Sequence, residues 1–106
     1  MRDAELTLEI SRTETEAVVT ATGEIDGSTV AKLTSTVDSL LVNAPPRVVL
    51  DLGGVTFCDS QGLGAMVALS QKARIAQSVL VLTHVRPQMT RALDVTGLRA
   101  VLLVAS

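Results

Sequence analysis

Leu6, Leu8 and Ile10 alternate with Glu5, Thr7, Glu9 and Ser11. That period of two predicts a strand with one wet face. A turn at Thr13-Glu14-Thr15 and the β-prone residues 16–22 after it predict a second strand, paired with the first as a hairpin. Gly23-Glu24-Ile25-Asp26-Gly27-Ser28 then interrupts the pattern with two glycines and a potential helix cap. From Ser28 the period changes. Val30, Leu33, Val37, Leu40 and Leu41 recur at helical spacing on one face, while Lys32, Thr34, Ser35 and Asp38 take other directions. Asn43-Ala44-Pro45-Pro46 ends this helix, because proline cannot continue the hydrogen-bond ladder and pushes its predecessor out of helical conformation.

Residues 47–52 are nearly continuously apolar, which predicts a central strand covered on both faces. Gly53-Gly54-Val55-Thr56-Phe57-Cys58-Asp59 reads as a loop, with a second helix starting near Ser60. Over 63–76 that helix is apolar nearly all round, so it is either deeply packed or keeps a face for a partner. Another buried strand is expected over 78–83, and a third helix over 87–96 opens with Pro87 and stops at Gly97. Residues 101–104 close the chain as a last strand. The order β-β-α-β-α-β-α-β implies one α/β domain over residues 1–106, with a mostly parallel central sheet, an N-terminal hairpin and helices packed against the sheet.

Composition narrows the possible functions. The chain has 106 residues, enough for one domain, and 47% of them are apolar, so a core forms without disulfides or metals. Phe57 is the sole aromatic residue. Base-stacking nucleic-acid modules and aromatic cages therefore lack their main component. Nine basic residues against eleven acidic ones, a net charge of −2, argue against phosphate-backbone binding, so no nucleic-acid partner is expected. The lone Cys58 excludes an intrachain disulfide and a cysteine-rich zinc site, and favours a reducing, cytoplasmic setting. Met1-Arg2-Asp3-Ala4-Glu5 is not followed by a signal-type apolar stretch, and no apolar run approaches the ~18 residues of a membrane span. No direct membrane insertion, cofactor or metal is expected.

The chemistry concentrates at Asp59-Ser60-Gln61-Gly62-Leu63-Gly64, between a buried strand and a helix. Each glycine inside a helix costs about 1 kcal/mol relative to alanine, so two in a first turn need a reason. Without a Cβ they let another surface approach, and they leave unpaired N–H groups and the positive dipole end facing outward. A hydroxyl there is accessible, and a phosphate added to it sits where anions are favoured. A plain N-cap at Ser60 or Asp59, worth ~1 kcal/mol, accounts for the same residues. The two readings are compatible.

Val49-Leu50-Asp51-Leu52-Gly53-Gly54-Val55-Thr56-Phe57-Cys58-Asp59-Ser60-Gln61-Gly62-Leu63-Gly64 resembles the signature of the STAS domain, specifically of the anti-sigma factor antagonists. Gly23-Glu24-Ile25-Asp26 is similar to that family's loop before the first helix, and Ala92-Leu93-Asp94-Val95-Thr96-Gly97-Leu98 to its third helix and following turn. The resemblance implies a bacterial partner-switching protein and not an enzyme. Ser60 matches the serine phosphorylated by an anti-sigma factor that is itself a serine kinase, and a separate phosphatase resets it. Asp59 matches the acidic residue before the phosphoacceptor, and Asp26 lies on a loop expected beside it. Gln61, Gly62 and Leu63 complete the expected partner-binding set, and nothing points to a particular oligomeric state. Cys58 departs from the family pattern, where methionine is common.

Other readings are weaker. A hydrolase elbow needs glycine where Cys58 stands, and the only histidine, His84, is expected near the end of the fourth strand. Gly53-Gly54 is followed by no Gly-Lys-Ser/Thr, so no nucleotide-hydrolysing loop is expected. Cys58 reads as a partly buried apolar residue; redox sensing needs a lowered pKa and exposure. Arg74, Arg86, Arg91 and Arg99 are taken as solvated. The rival from another class is a STAS subunit of a membrane transport ATPase complex, or a stressosome-type scaffold, binding without a phosphorylation cycle.

Overall fold

The alternation at the start of the chain becomes a hairpin, and the apolar runs after it become parallel strands joined by helices. The computed structural model describes residues 4–105; the first three residues, which belong to the stretch read for a signal pattern, lie outside that range. Strands β1 (Leu6–Arg12) and β2 (Glu16–Ile25) precede helix α1 (Val30–Leu41). Strand β3 (Arg47–Cys58), helix α2 (Ser60–Ile75), strand β4 (Val79–Thr83) and helix α3 (Pro87–Thr96) follow, and a 3-10 turn at Leu98–Ala100 leads into the two-residue strand β5 (Leu103–Val104). The sheet runs β1-β2-β3-β4-β5, antiparallel only between β1 and β2.

Register gathers the core onto one side of the sheet. Ala17 pairs with Val48 and Val48 with Leu80; Val19 pairs with Leu50 and Leu50 with Leu82, and all six are buried. Leu33, Val37 and Leu40 of α1 and Leu63, Met66 and Leu69 of α2 join the same core. An exposed Lys72–Asp38 ion pair at 3.4 Å links the two helices. Pro87 opens α3 and Gly97, in the left-handed region with φ 75°, ends it, as the sequence predicts.

Several expectations need correcting. The alternate residues of the central strand, Val49 and Asp51, are only half-buried, so β3 is not covered equally on both faces. Ile10 keeps its place in the alternation but is 49% exposed, because it sits on the outermost strand. The predicted break at Gly23 does not occur, and β2 continues to Ile25. The predicted loop after Leu52 is strand as far as Cys58. The cause is shared. These two segments pair with each other through two register shifts, one between Thr20 and Thr22 and one between Gly23 and Glu24. Glycine in a strand often marks a bulge and not an end, and Gly23 adopts φ 119°, which a residue with a side chain rarely does. At the other end, Val101 is used as the C-cap of the 3-10 turn and Leu102 stays outside the ladder, so β5 keeps only Leu103–Val104 of the strand expected over 101–104.

Candidate functional site

The bulged extensions of β2 and β3 bring the 26–29 turn and the start of α2 side by side. The Asp59 N–H donates to the Ile25 carbonyl at 3.1 Å, tying the end of one strand to the exit of the other. Asp59 is extended (φ −89°, ψ −175°) and caps α2, its carboxylate accepting from the Gly62 N–H at 3.0 Å. The sequence left the cap open between Asp59 and Ser60. With Asp59 in that role, Ser60 is the first helical residue, is exposed, and has no hydrogen-bond partner for its hydroxyl among the described residues.

The glycines of the first turn do different things. A Cβ on Gly62 would lie 2.6 Å from Cys58 Sγ and 2.8 Å from Ile25 Cγ2. Gly62 is therefore glycine so that α2 can pack against the strand ends, which corrects the idea that it keeps the turn open to an outside surface. Gly64 has nothing within 4 Å of a Cβ position and is exposed. Leu63, 5% exposed, belongs to the core. Of the expected partner-binding residues, Ser60 and Gln61 are exposed, Asp26 and Asp59 are half-buried, and Gly62 and Leu63 lie inside.

The 26–29 turn is held by its own side chains. The Asp26 carboxylate accepts from the Ser28 hydroxyl at 2.7 Å, the Ser28 N–H at 2.8 Å and the Thr29 N–H at 3.2 Å. The bonds from Ser28 contribute most to holding its pKa below the usual carboxylate value. Thr29 is buried, donates to the Glu24 carbonyl at 2.8 Å and accepts from the Asp26 N–H at 3.0 Å. Helix α1 thus starts at Val30, the first residue of the apolar stripe read from the sequence, with Thr29 at its cap position.

Cys58 is half-buried, and its thiol is pushed up to about 12, by burial first and by the Asp59 charge second. At neutral pH it is a thiol and not a thiolate, which removes the reactivity a redox sensor needs. His84 follows β4 with φ 54° and places Nδ1 3.1 Å from Asp51 Oδ1, on an exposed edge. Among the described residues no group of three His, Cys, Asp or Glu side chains is placed to hold a metal ion. Among the described residues, no helix is long and apolar enough to cross a membrane.

The sequence reading took Phe57 only as the sole aromatic and as part of an expected loop. It is 52% exposed, two residues before Asp59. It borders a cleft of about 390 Å³ between the end of β3 and α3, with Leu52, Val55, Met89 and Arg86 among its walls. Arg86, taken as solvated, donates from Nε to the Gly53 carbonyl at 2.8 Å. The available signal was that the chain's sole aromatic stands two residues before Asp59; reading 53–59 as a loop hid its place on a strand.

The family model described as "Mlab, STAS domain" matches residues 8–105, and the chain belongs to the STAS domain family, within the group of anti-sigma factor antagonists. An anti-sigma-B factor antagonist of Listeria monocytogenes is 31% identical over 94 residues, 88% of this chain and 82% of that protein. The anti-sigma-F factor antagonist RsfB of Mycobacterium tuberculosis is 37% identical over 75 residues, 71% of this chain and 60% of that one. The crystal structure of an anti-sigma factor antagonist from Mycobacterium paratuberculosis superposes with a TM-score of 0.84 at 26% identity, covering 94% of this chain and 85% of that chain.

Proposed function

We propose that this protein is a cytoplasmic partner switch and not an enzyme. With Ser60 unmodified it docks on an anti-sigma factor that is a serine kinase, which frees a sigma factor. Phosphorylation of Ser60 releases it, and a phosphatase restores the first state. The observation that carries this reading is the free, exposed Ser60 hydroxyl at the first helical position, with the capping role taken by Asp59. Asp26, Asp59 and Gln61 surround the docking surface, and Gly62 and Leu63 support it from beneath.

The physics of release is local. A phosphate adds about −1.5 to −2 charges at pH 7. At a helix N-terminus the isolated fold tolerates it. In a docked interface the same charge loses water beside Asp59. An uncompensated buried charge costs roughly 3–5 kcal/mol, which at 1.4 kcal/mol per tenfold weakens binding by about two to three orders of magnitude.

The test uses the serine-kinase anti-sigma factor encoded in the same genome. Incubation with that kinase and ATP adds one phosphate, read by intact mass, and Ser60→Ala abolishes it while still binding. Phosphate on another residue, or none, contradicts the proposal. The rival reading, a subunit of a membrane transport ATPase complex, gains if the unmodified chain binds the transporter's ATPase and not the kinase.

A further inference from the structure

Gln61 stands beside Ser60 on the first turn of α2, yet its side chain reaches the other turn of the site. A Cβ built on Gly27 would lie 2.8 Å from Gln61 Oε1, 2.9 Å from Nε2 and 3.0 Å from Cδ. The carboxamide therefore occupies the space that any residue other than glycine would fill at position 27. Gly27 is the central residue of the turn that Asp26 closes through Ser28 and Thr29. Asp59 ties the same two segments through the Ile25 carbonyl, but at the strand ends beneath. At the surface, the Gln61–Gly27 contact bridges them.

We infer that Gln61 is a positioning residue: its carboxamide, seated over Gly27, locks the turn carrying Asp26 to the turn carrying Ser60, so that a partner meets one preformed surface. The inference rests on the reading of Ser60 as the docking and phosphorylation point. A turn held in place before docking spares its ordering entropy when the partner arrives. Loss of the brace therefore weakens docking without touching the hydroxyl. A methyl group at position 27 would push the exposed carboxamide aside and so break the contact, which makes Gly27→Ala a second way to remove the brace.

Two measurements on the full chain test this. The first needs no partner: amide hydrogen exchange at Ser28 and Thr29, read by NMR. Gln61→Ala is expected to speed it by about three- to fivefold, the size of one lost surface packing contact. In a Gly27→Ala background, where a methyl group already displaces the carboxamide, Gln61→Ala has no further effect, as coupled positions require. Unchanged exchange in Gln61→Ala, or the same acceleration in both backgrounds, overturns the brace. The second measurement is phosphorylation by the serine-kinase anti-sigma factor of the same genome. Gln61→Ala raises KM about three- to fivefold with kcat unchanged, and so does Gly27→Ala with Gln61 intact. A fall in kcat at unchanged KM overturns the positioning role. Failure of that kinase to phosphorylate the wild-type chain refutes the docking reading instead, and the exchange data still decide the brace.

Discussion

At the scale of single residues, the site separates roles that the sequence letters left merged. Asp59 caps, Ser60 presents a hydroxyl, Gln61 braces, and Gly62 makes room. The role of Gly62 gives a direct prediction. Gly62→Ala forces a methyl group toward Cys58 Sγ and Ile25 Cγ2, an overpacking expected to cost about 1–3 kcal/mol. Urea unfolding checks it, and adding Cys58→Ala recovers part of the loss because the sulfur is the nearer obstacle. Asp26 gives a second prediction, in acid. Its folded-state pKa is depressed below 3.8 by the Ser28 bonds. The unfolded chain thus binds the proton first as pH falls, and stability present above that value is lost as pH drops through the folded pKa. Asp26→Asn is expected to flatten the stability profile in that window and leave its shape near neutral pH unchanged; an identical acid limb in both proteins contradicts it.

Among the elements, what was legible depended on which neighbours settled each segment. Helix α3 was readable at both ends because Pro87 and Gly97 act through their own backbone conformation, which needs no partner. The stripe of α1 was readable because Leu33, Val37 and Leu40 repeat with the period of the helix itself. The extensions of β2 and β3 were not readable. Gly23, Gly53 and Gly54 carry the same letters in a turn and in a bulge, and only pairing between two strands distant in the chain decides between them. The site inherited this limit: the motif around Ser60 was plain, but the inward placing of Gly62 and Leu63 and the outward placing of Phe57 follow from that pairing. A third prediction belongs here. Alternate amides over residues 53–58 are expected to exchange slowly, as ladder hydrogen bonds protect them; uniformly fast exchange across this stretch would restore the loop.

For the molecule as a whole, the helices' buried stripes join one core against the sheet, and the strand ends deliver Ser60 and the turn carrying Asp26 to one edge. The β-β-α-β-α-β-α-β order was legible because each connection is short and each apolar run bounded by turn residues, which leaves few ways to close a core. A phosphate at Ser60 alters charge at the surface and leaves that core as it is. Phosphorylated and unmodified chains are therefore expected to share the same far-UV circular dichroism and to unfold at closely similar temperatures.

The most direct test of the switch is the affinity of two otherwise identical preparations, Ser60 unmodified and Ser60 phosphorylated, for the nucleotide-bound kinase by titration calorimetry. The phosphate is expected to weaken binding by about two to three orders of magnitude. Equal affinity of the two forms would contradict a switch built on charge.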